Sequence, residues 1–173
     1  KELIDSGYHV LIMPRPRRFG KSFNLSMLKY YFDYREEDTQ ALFEPFGIWN
    51  AGERYRAAQG KRPVIHFSLK SAKATNFKKS QESIYLTITQ IYNDFRWLLN
   101  TDVLDKDEVA QFKIILFSQA SPAQYEMGLR KLTEYLYRHS GEHTLVLLDE
   151  YDAPIHAGFY HDFYDEIIAV MKS

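Results

Sequence analysis

Two short groups of residues in this chain have the types and order needed to handle a polyphosphate. The first is Gly20-Lys21-Ser22, which closes the loop Arg15-Pro16-Arg17-Arg18-Phe19-Gly20-Lys21-Ser22. Backbone N–H groups in such a loop, together with the positive end of a following helix, make an anion site. Lys21 is then the side chain that reaches the terminal phosphates, and the Ser22 hydroxyl is a ligand for Mg²⁺. Gly20 lets the backbone approach the phosphate closely. The full pattern asks for Gly where this chain has Arg15, so that side chain must point away from the phosphates. Arg17 and Arg18 either add charge to the nucleotide site or pair with acids on a neighbouring element. The second group is Asp149-Glu150-Tyr151-Asp152, directly after the apolar run Leu145 to Leu148. An Asp at the end of a buried strand anchors Mg²⁺ directly or through water, which is the role read for Asp149. Glu150 stands where a residue that orients or deprotonates the attacking water belongs. Asp152 acts from behind the site or binds a basic neighbour.

Each group has a plainer reading, a helix start that happens to contain Gly-Lys-Ser and a solvated loop after a strand. The elements around them decide. Tyr8 to Met13 predicts a short buried strand leading into the loop, with Pro14 and Pro16 biasing Met13 and Arg15 toward extended backbone. A helix is predicted from near Gly20, with Leu25, Leu28 and Phe32 on one stripe. Pro63 to Leu69 predicts a second strand. Asn76 predicts the cap of a long helix reaching about Asn100, and Asp107 to Phe117 a shorter one. Ser121-Pro122 predicts another helix start, and Gly141 its end. Thr144 to Leu148 is apolar without alternation, which predicts a strand buried on both faces. Asp162 to Met171 predicts a last helix. Strands alternating with helices predict an α/β domain with a mostly parallel sheet flanked by helices. Strand, loop ending Gly-Lys-Ser and helix is the context a phosphate-binding loop requires.

Composition narrows the function. At 173 residues, with a net charge of −1 and a pI near 6.7, the chain fits one domain with no global positive field for nucleic acid or anionic membrane. There is no Cys, so disulfides and thiolate metal sites are excluded, and a reducing compartment such as the cytoplasm fits. No apolar run approaches the ~18–20 residues that span a bilayer. The basic clusters Arg54, Arg56, Lys61, Arg62 and Lys70, Lys73, Lys78, Lys79 read as solvated faces before they read as a nucleic-acid surface. His139 and His143 lie four apart, but the helix end at Gly141 separates them as zinc ligands.

The motif residues resemble a known family. Arg15 to Ser22 followed by Asn24-Leu25-Ser26-Met27-Leu28 is similar to the AAA-ATPase-like domain of bacterial and archaeal proteins. In many of these a PD-(D/E)XK nuclease-like domain follows. The likeness continues in Pro63 to Ser68, in Leu147 to Ile155 and in Tyr164 to Ile168, and so covers nearly the whole chain. In that family Arg in place of the first Gly is usual. The resemblance implies a P-loop NTPase fold of the ATPase type, with Arg15 to Ser22 as Walker A and Asp149-Glu150 as Walker B. It implies ATP and Mg²⁺ as cofactors and hydrolysis aided by Lys21 and Glu150.

The resemblance also implies more protein than residues 1–173. The chain opens on Lys1 and stops at Ser173 inside a helical pattern, so a fragment is expected, truncated before the strand that carries a sensor residue. A gap in the middle of the sheet, or one filled by another chain or by rearranged elements, is expected with it. Hydrolysis by the fragment alone is then weak or absent. The partners implied are a nucleotide, nucleic acid through a C-terminal nuclease-like domain and a homo-oligomer, with no membrane. Two other functions compete with an ATPase that drives or regulates the nuclease-like module. One is a nucleotide-sensing module without turnover. The other is a P-loop kinase for a small molecule, against which Glu150 directly after Asp149 argues.

Overall fold

The helix that begins at Lys21 is the element on which the first half of the candidate site depends, and its far end is sewn to a strand. The computed structural model describes residues 1–5, 10–12, 14, 19–36 and 39–172. In chain order the elements are α1 (Glu2–Asp5), α2 (Lys21–Phe32), α3 (Gln40–Phe43), α4 (Glu53–Ala57), β1 (Val64–Ser68), α5 (Phe77–Asp94), α6 (Lys106–Leu116), α7 (Pro122–Ser140), β2 (Leu145–Asp149), α8 (Asp152–Tyr160) and α9 (Tyr164–Lys172). Among the described residues the sheet has two strands, β1 beside β2. They are parallel: Leu145 N–H donates to Pro63 O at 2.9 Å at one end, and Leu69 N–H to Asp149 O at 3.1 Å at the other. Parallel neighbours need a long crossover, and α5, α6 and α7 supply it.

The chain divides into two compact units, residues 1–66 with 142–147 and residues 67–141 with 148–173. The first is built around Leu25, Tyr31 and Phe32 of α2, Phe43 of α3, Val64 and Leu147. Tyr31 meets Phe32 and Phe43 edge-on, at ring separations of 5.0 and 4.9 Å. Main-chain bonds continue the attachment past the end of α2: Gly60 N–H to Tyr31 O and Arg62 N–H to Phe32 O, both 2.9 Å, and Tyr34 N–H to Arg62 O at 3.1 Å. The predicted stripe of α2 is therefore its packed face, with Leu25 and Phe32 buried and Leu28 against the cluster.

The second unit packs Leu69, Ala72, Ile84, Ala157, Phe163 and Ile167 together. Its helices start where local chemistry predicts. The Asn76 side chain accepts from Lys79 N–H at 3.0 Å. Ser121 and Gln124 form a reciprocal capping box ahead of Pro122. The long helix ends earlier than expected, at Asp94, and continues as a 3₁₀ turn over Arg96–Asn100. The α8 helix, Asp152–Tyr160, has no counterpart among the elements predicted from the sequence.

Two further expectations differ from the structure. Tyr8, His9 and Met13 lie outside the described residues, and Val10, Leu11 and Ile12 are in no strand. Val10 and Ile12 are 76% and 64% exposed. Apolarity supports a strand only where a neighbour takes its hydrogen bonds, and among the described residues β1 and β2 pair only with each other. In β2, unbroken apolarity predicts burial on both faces, yet Val146 is exposed while Leu147 is buried. One face of the strand is packed there and the other is not.

Candidate nucleotide site

Gly20 has φ 69° and ψ 26°, the left-handed region, immediately before α2. Among the described residues, a Cβ at this position would meet nothing within 4 Å. Glycine is therefore needed here for its backbone and not for space. Its carbonyl accepts the first helical bond, from Asn24 N–H at 2.9 Å. Lys21 and Ser22 are the first two residues of the helix, Lys21 half-buried and Ser22 exposed. Gly20, at the N-cap, has no side chain with which to cap this end of α2, and a helix start carries partial positive charge that favours anions. Arg15, Pro16, Arg17 and Arg18 lie outside the described residues, while Phe19 beside them is exposed.

The acidic group is built differently. Asp149 is the last residue of β2 and only 9% exposed. Its carbonyl is held by Leu69 N–H, and its Oδ1 accepts the next N–H, that of Glu150, at 2.9 Å. Glu150 is half-buried and has φ 49°. Its carbonyl accepts from Ala153 N–H at 3.1 Å, which starts the turn into α8. Asp152 opens that helix, its carboxylate 3.9 Å from His156 Nδ1, an ion pair when the imidazole is protonated. Lys21 and Ser22 belong to the first unit, and Asp149 and Glu150 to the second.

The donors fit a hard cation. Among the described residues no group of three His, Cys, Asp or Glu could hold a metal ion. Mg²⁺ does not need one, because it keeps several waters and takes one or two carboxylates plus substrate phosphates. A hydroxyl at Ser22 and a nearly buried carboxylate at Asp149 are donors of that type.

The weaker signals resolve into ordinary packing. His139 lies edge-on to Trp97 at 4.7 Å, and Gly141 caps α7 between it and His143. Arg54 pairs with Asp5 at 3.3 Å and Arg56 with Glu53 at 2.9 Å, so part of one basic cluster is matched locally. Among the described residues no helix is long and apolar enough to cross a membrane. The bond from Glu150 N–H to Asp149, and the backbone of Glu150, carry no sequence signal beyond Asp before Glu at a strand end.

The model of the AAA-ATPase-like family, described as "Predicted AAA-ATPase", matches residues 1–173. The chain belongs to the AAA-ATPase-like family. Comparison with curated proteins and with solved structures finds no match. Membership ties the chain to nucleotide binding through its family, and the match takes in both groups of residues. Within this AAA-ATPase-like chain, the α2 start carries Gly20, Lys21 and Ser22, and the β2 end carries Asp149 followed by Glu150.

Proposed function

We propose that this domain binds ATP with Mg²⁺ and hydrolyses it. The observation that carries the reading is the left-handed Gly20 directly ahead of Lys21 and Ser22 on a twelve-residue helix. In this reading the loop Arg15 to Ser22 wraps the phosphates, and Lys21 neutralises charge on the terminal ones. Ser22 and Asp149 hold the Mg²⁺, which when bound offsets the charge between the phosphates. Glu150 accepts the proton of the attacking water or orients that water. An attached nuclease-like module is what the cycle would drive or regulate, as the family resemblance implies.

The test is ATP binding and turnover by the full-length protein, with and without DNA. Lys21→Ala should weaken binding, and Glu150→Gln should bind ATP but lose turnover. Binding without turnover in the parent protein would replace the ATPase with a nucleotide sensor. No ATP affinity in the full-length protein would overturn the proposal.

A further inference from the structure

Both basic clusters of the sequence fall in a stretch without a single acid, between Glu53 and Glu82. The structure treats them differently. Arg54 and Arg56 pair with Asp5 and Glu53. Lys70, Lys73, Lys78 and Lys79 are all exposed. Among the described residues none of their four ammonium groups has an ion-pair partner.

The fold of the second unit brings these four charges together. Lys70 opens a 3₁₀ turn, Lys70–Ala72, and Lys73 follows it directly. Lys78 and Lys79 lie in the first turn of α5. Ser80, fully buried, donates its hydroxyl to Ala72 O at 2.6 Å, which pins that turn to the start of the helix. Asn76 lies between the two pairs and accepts from Lys79 N–H at 3.0 Å. Four like charges held on one short, hydrogen-bonded surface repel one another, and closely spaced negative charge on a partner relieves that repulsion. The positive end of α5 adds to the same field.

The neighbours of the lysines narrow the partner. Ser71, Thr75 and Asn76 are exposed beside them. Such hydroxyl and amide groups, with Lys, bond phosphate and sugar oxygens and so position a nucleic-acid backbone without reading its sequence. No large apolar side chain of this segment is exposed. Phe77, its one aromatic residue, is half-buried and packs towards Phe163 at a ring separation of 6.5 Å. Single-stranded binding uses exposed rings for stacking on bases, and insertion into a membrane surface uses an exposed apolar face. The segment offers neither.

We propose that Lys70, Lys73, Lys78 and Lys79 form a docking surface for the phosphodiester backbone of duplex nucleic acid, without sequence preference. The role is separate from ATP binding and uses none of the residues assigned to it.

The experiment uses the full-length protein without nucleotide and a short DNA duplex of mixed sequence. Amine acetylation read by mass spectrometry follows each lysine separately. With the duplex at ten times its Kd, modification of the four lysines should slow by about tenfold. Lys106 and Lys113, exposed on α6, should keep their rates. Affinity against salt is the second readout, and it holds even where other parts of the chain bind DNA. Each lysine on a phosphate contributes about 0.9 to the slope of log K against log salt. Replacing all four with Gln should flatten the slope by about 3–4, while Lys106→Gln with Lys113→Gln should leave it unchanged. Unprotected lysines or an unchanged slope in the fourfold variant would overturn the proposal. So would tighter binding of a single strand than of the duplex, or equal protection by phosphatidylserine vesicles at matched phosphate. Failure to bind ATP would sink the proposed function alone and leave these readouts to decide the docking surface.

Discussion

Arg35 grips Asp33 with one edge of its guanidinium, Nε to Oδ1 at 3.1 Å and Nη2 to Oδ2 at 2.7 Å. The same Nη2 donates to Val64 O at 3.0 Å, tying the residues after α2 to β1. Asp33 is fully buried. Removing one partner of a buried pair leaves the other charge uncompensated, which costs about 3–5 kcal/mol. Arg35→Ala should fall near the lower end, since Arg35 is itself part-exposed, and Arg35→Lys should recover little because the fork is lost. The exposed Lys131–Glu134 pair, 3.1 Å apart, is the contrast: Glu134→Gln should change stability by under about 0.5 kcal/mol. Urea unfolding curves read both.

Gly158 lets the α8–α9 corner close. A Cβ there would lie 2.8 Å from Ile167 Cγ2, 3.1 Å from Tyr164 Cα and 3.2 Å from Phe163 O. Two of those three are backbone and cannot swing aside. Gly158→Ala should destabilise the protein by about 1–3 kcal/mol through overpacking. Gly47→Ala, where a Cβ meets nothing within 4 Å, serves as the control and should be within about 0.5 kcal/mol of the parent. Thermal midpoints distinguish the two.

Gly20 tests the helix start. Gly20→Ala meets no atom of the described residues, so the cost expected is that of the left-handed backbone, roughly 1–2 kcal/mol. Gly20→Asn should lose less, because Asn tolerates that region. If the start of α2 receives phosphate, ATP affinity should fall in the same order, parent above Asn above Ala. Calorimetric titration with Mg-ATP gives the ranking.

The capping boxes at α6 and α7 are reciprocal. Asp105 Oδ1 accepts from Glu108 N–H at 2.8 Å while Glu108 Oε2 accepts from Asp105 N–H at 3.1 Å. At α7, Gln124 Oε1 accepts from Ser121 N–H at 2.8 Å, but the Ser121 hydroxyl accepts from Gln124 N–H at a longer 3.4 Å. Either cap to Ala should cost about 1 kcal/mol. Asp105→Ala should be the more damaging, since its bond is shorter and charged. Amide hydrogen exchange in the first turn of each helix measures the local loss.

Alkaline pH should weaken the second unit. Burial raises the Tyr92 hydroxyl above its ordinary range and pushes Tyr135 up to about 12. Tyr92 also donates to Gly128 O at 2.8 Å. Unfolded tyrosine ionises near pH 10. Between that value and the folded one the native state holds more protons than the unfolded state, so stability falls as pH rises. Stability should be flat in this respect below about pH 10 and drop steadily toward about 12. Tyr92→Phe should flatten part of the drop. Tyrosinate absorbance followed alongside unfolding checks the assignment.

The sequence by itself determined the chemistry that acts within a few residues. Gly20 before a helix, Asn76 and Ser121 as caps, Gly141 as a stop and Asp149 at a strand end were all legible, because caps, turns and periodicity are local. The family was legible too, through blocks spread along the chain. Tertiary structure decided what depends on distant partners. Val10 to Ile12 carry a strand's residue types, but a strand is made by a neighbour's hydrogen bonds. Val146 is as apolar as Leu147, yet only packing from other elements makes one exposed and the other buried. The α8 helix contains Pro154 and Gly158, which read locally as breakers. Proline is tolerated in a first turn, and Gly158 is required by the backbone of α9 beside it. The pairing of Arg35 with both Asp33 and the Val64 carbonyl arises for the same reason: burial and fixed neighbours hold conformations that isolated residues would leave.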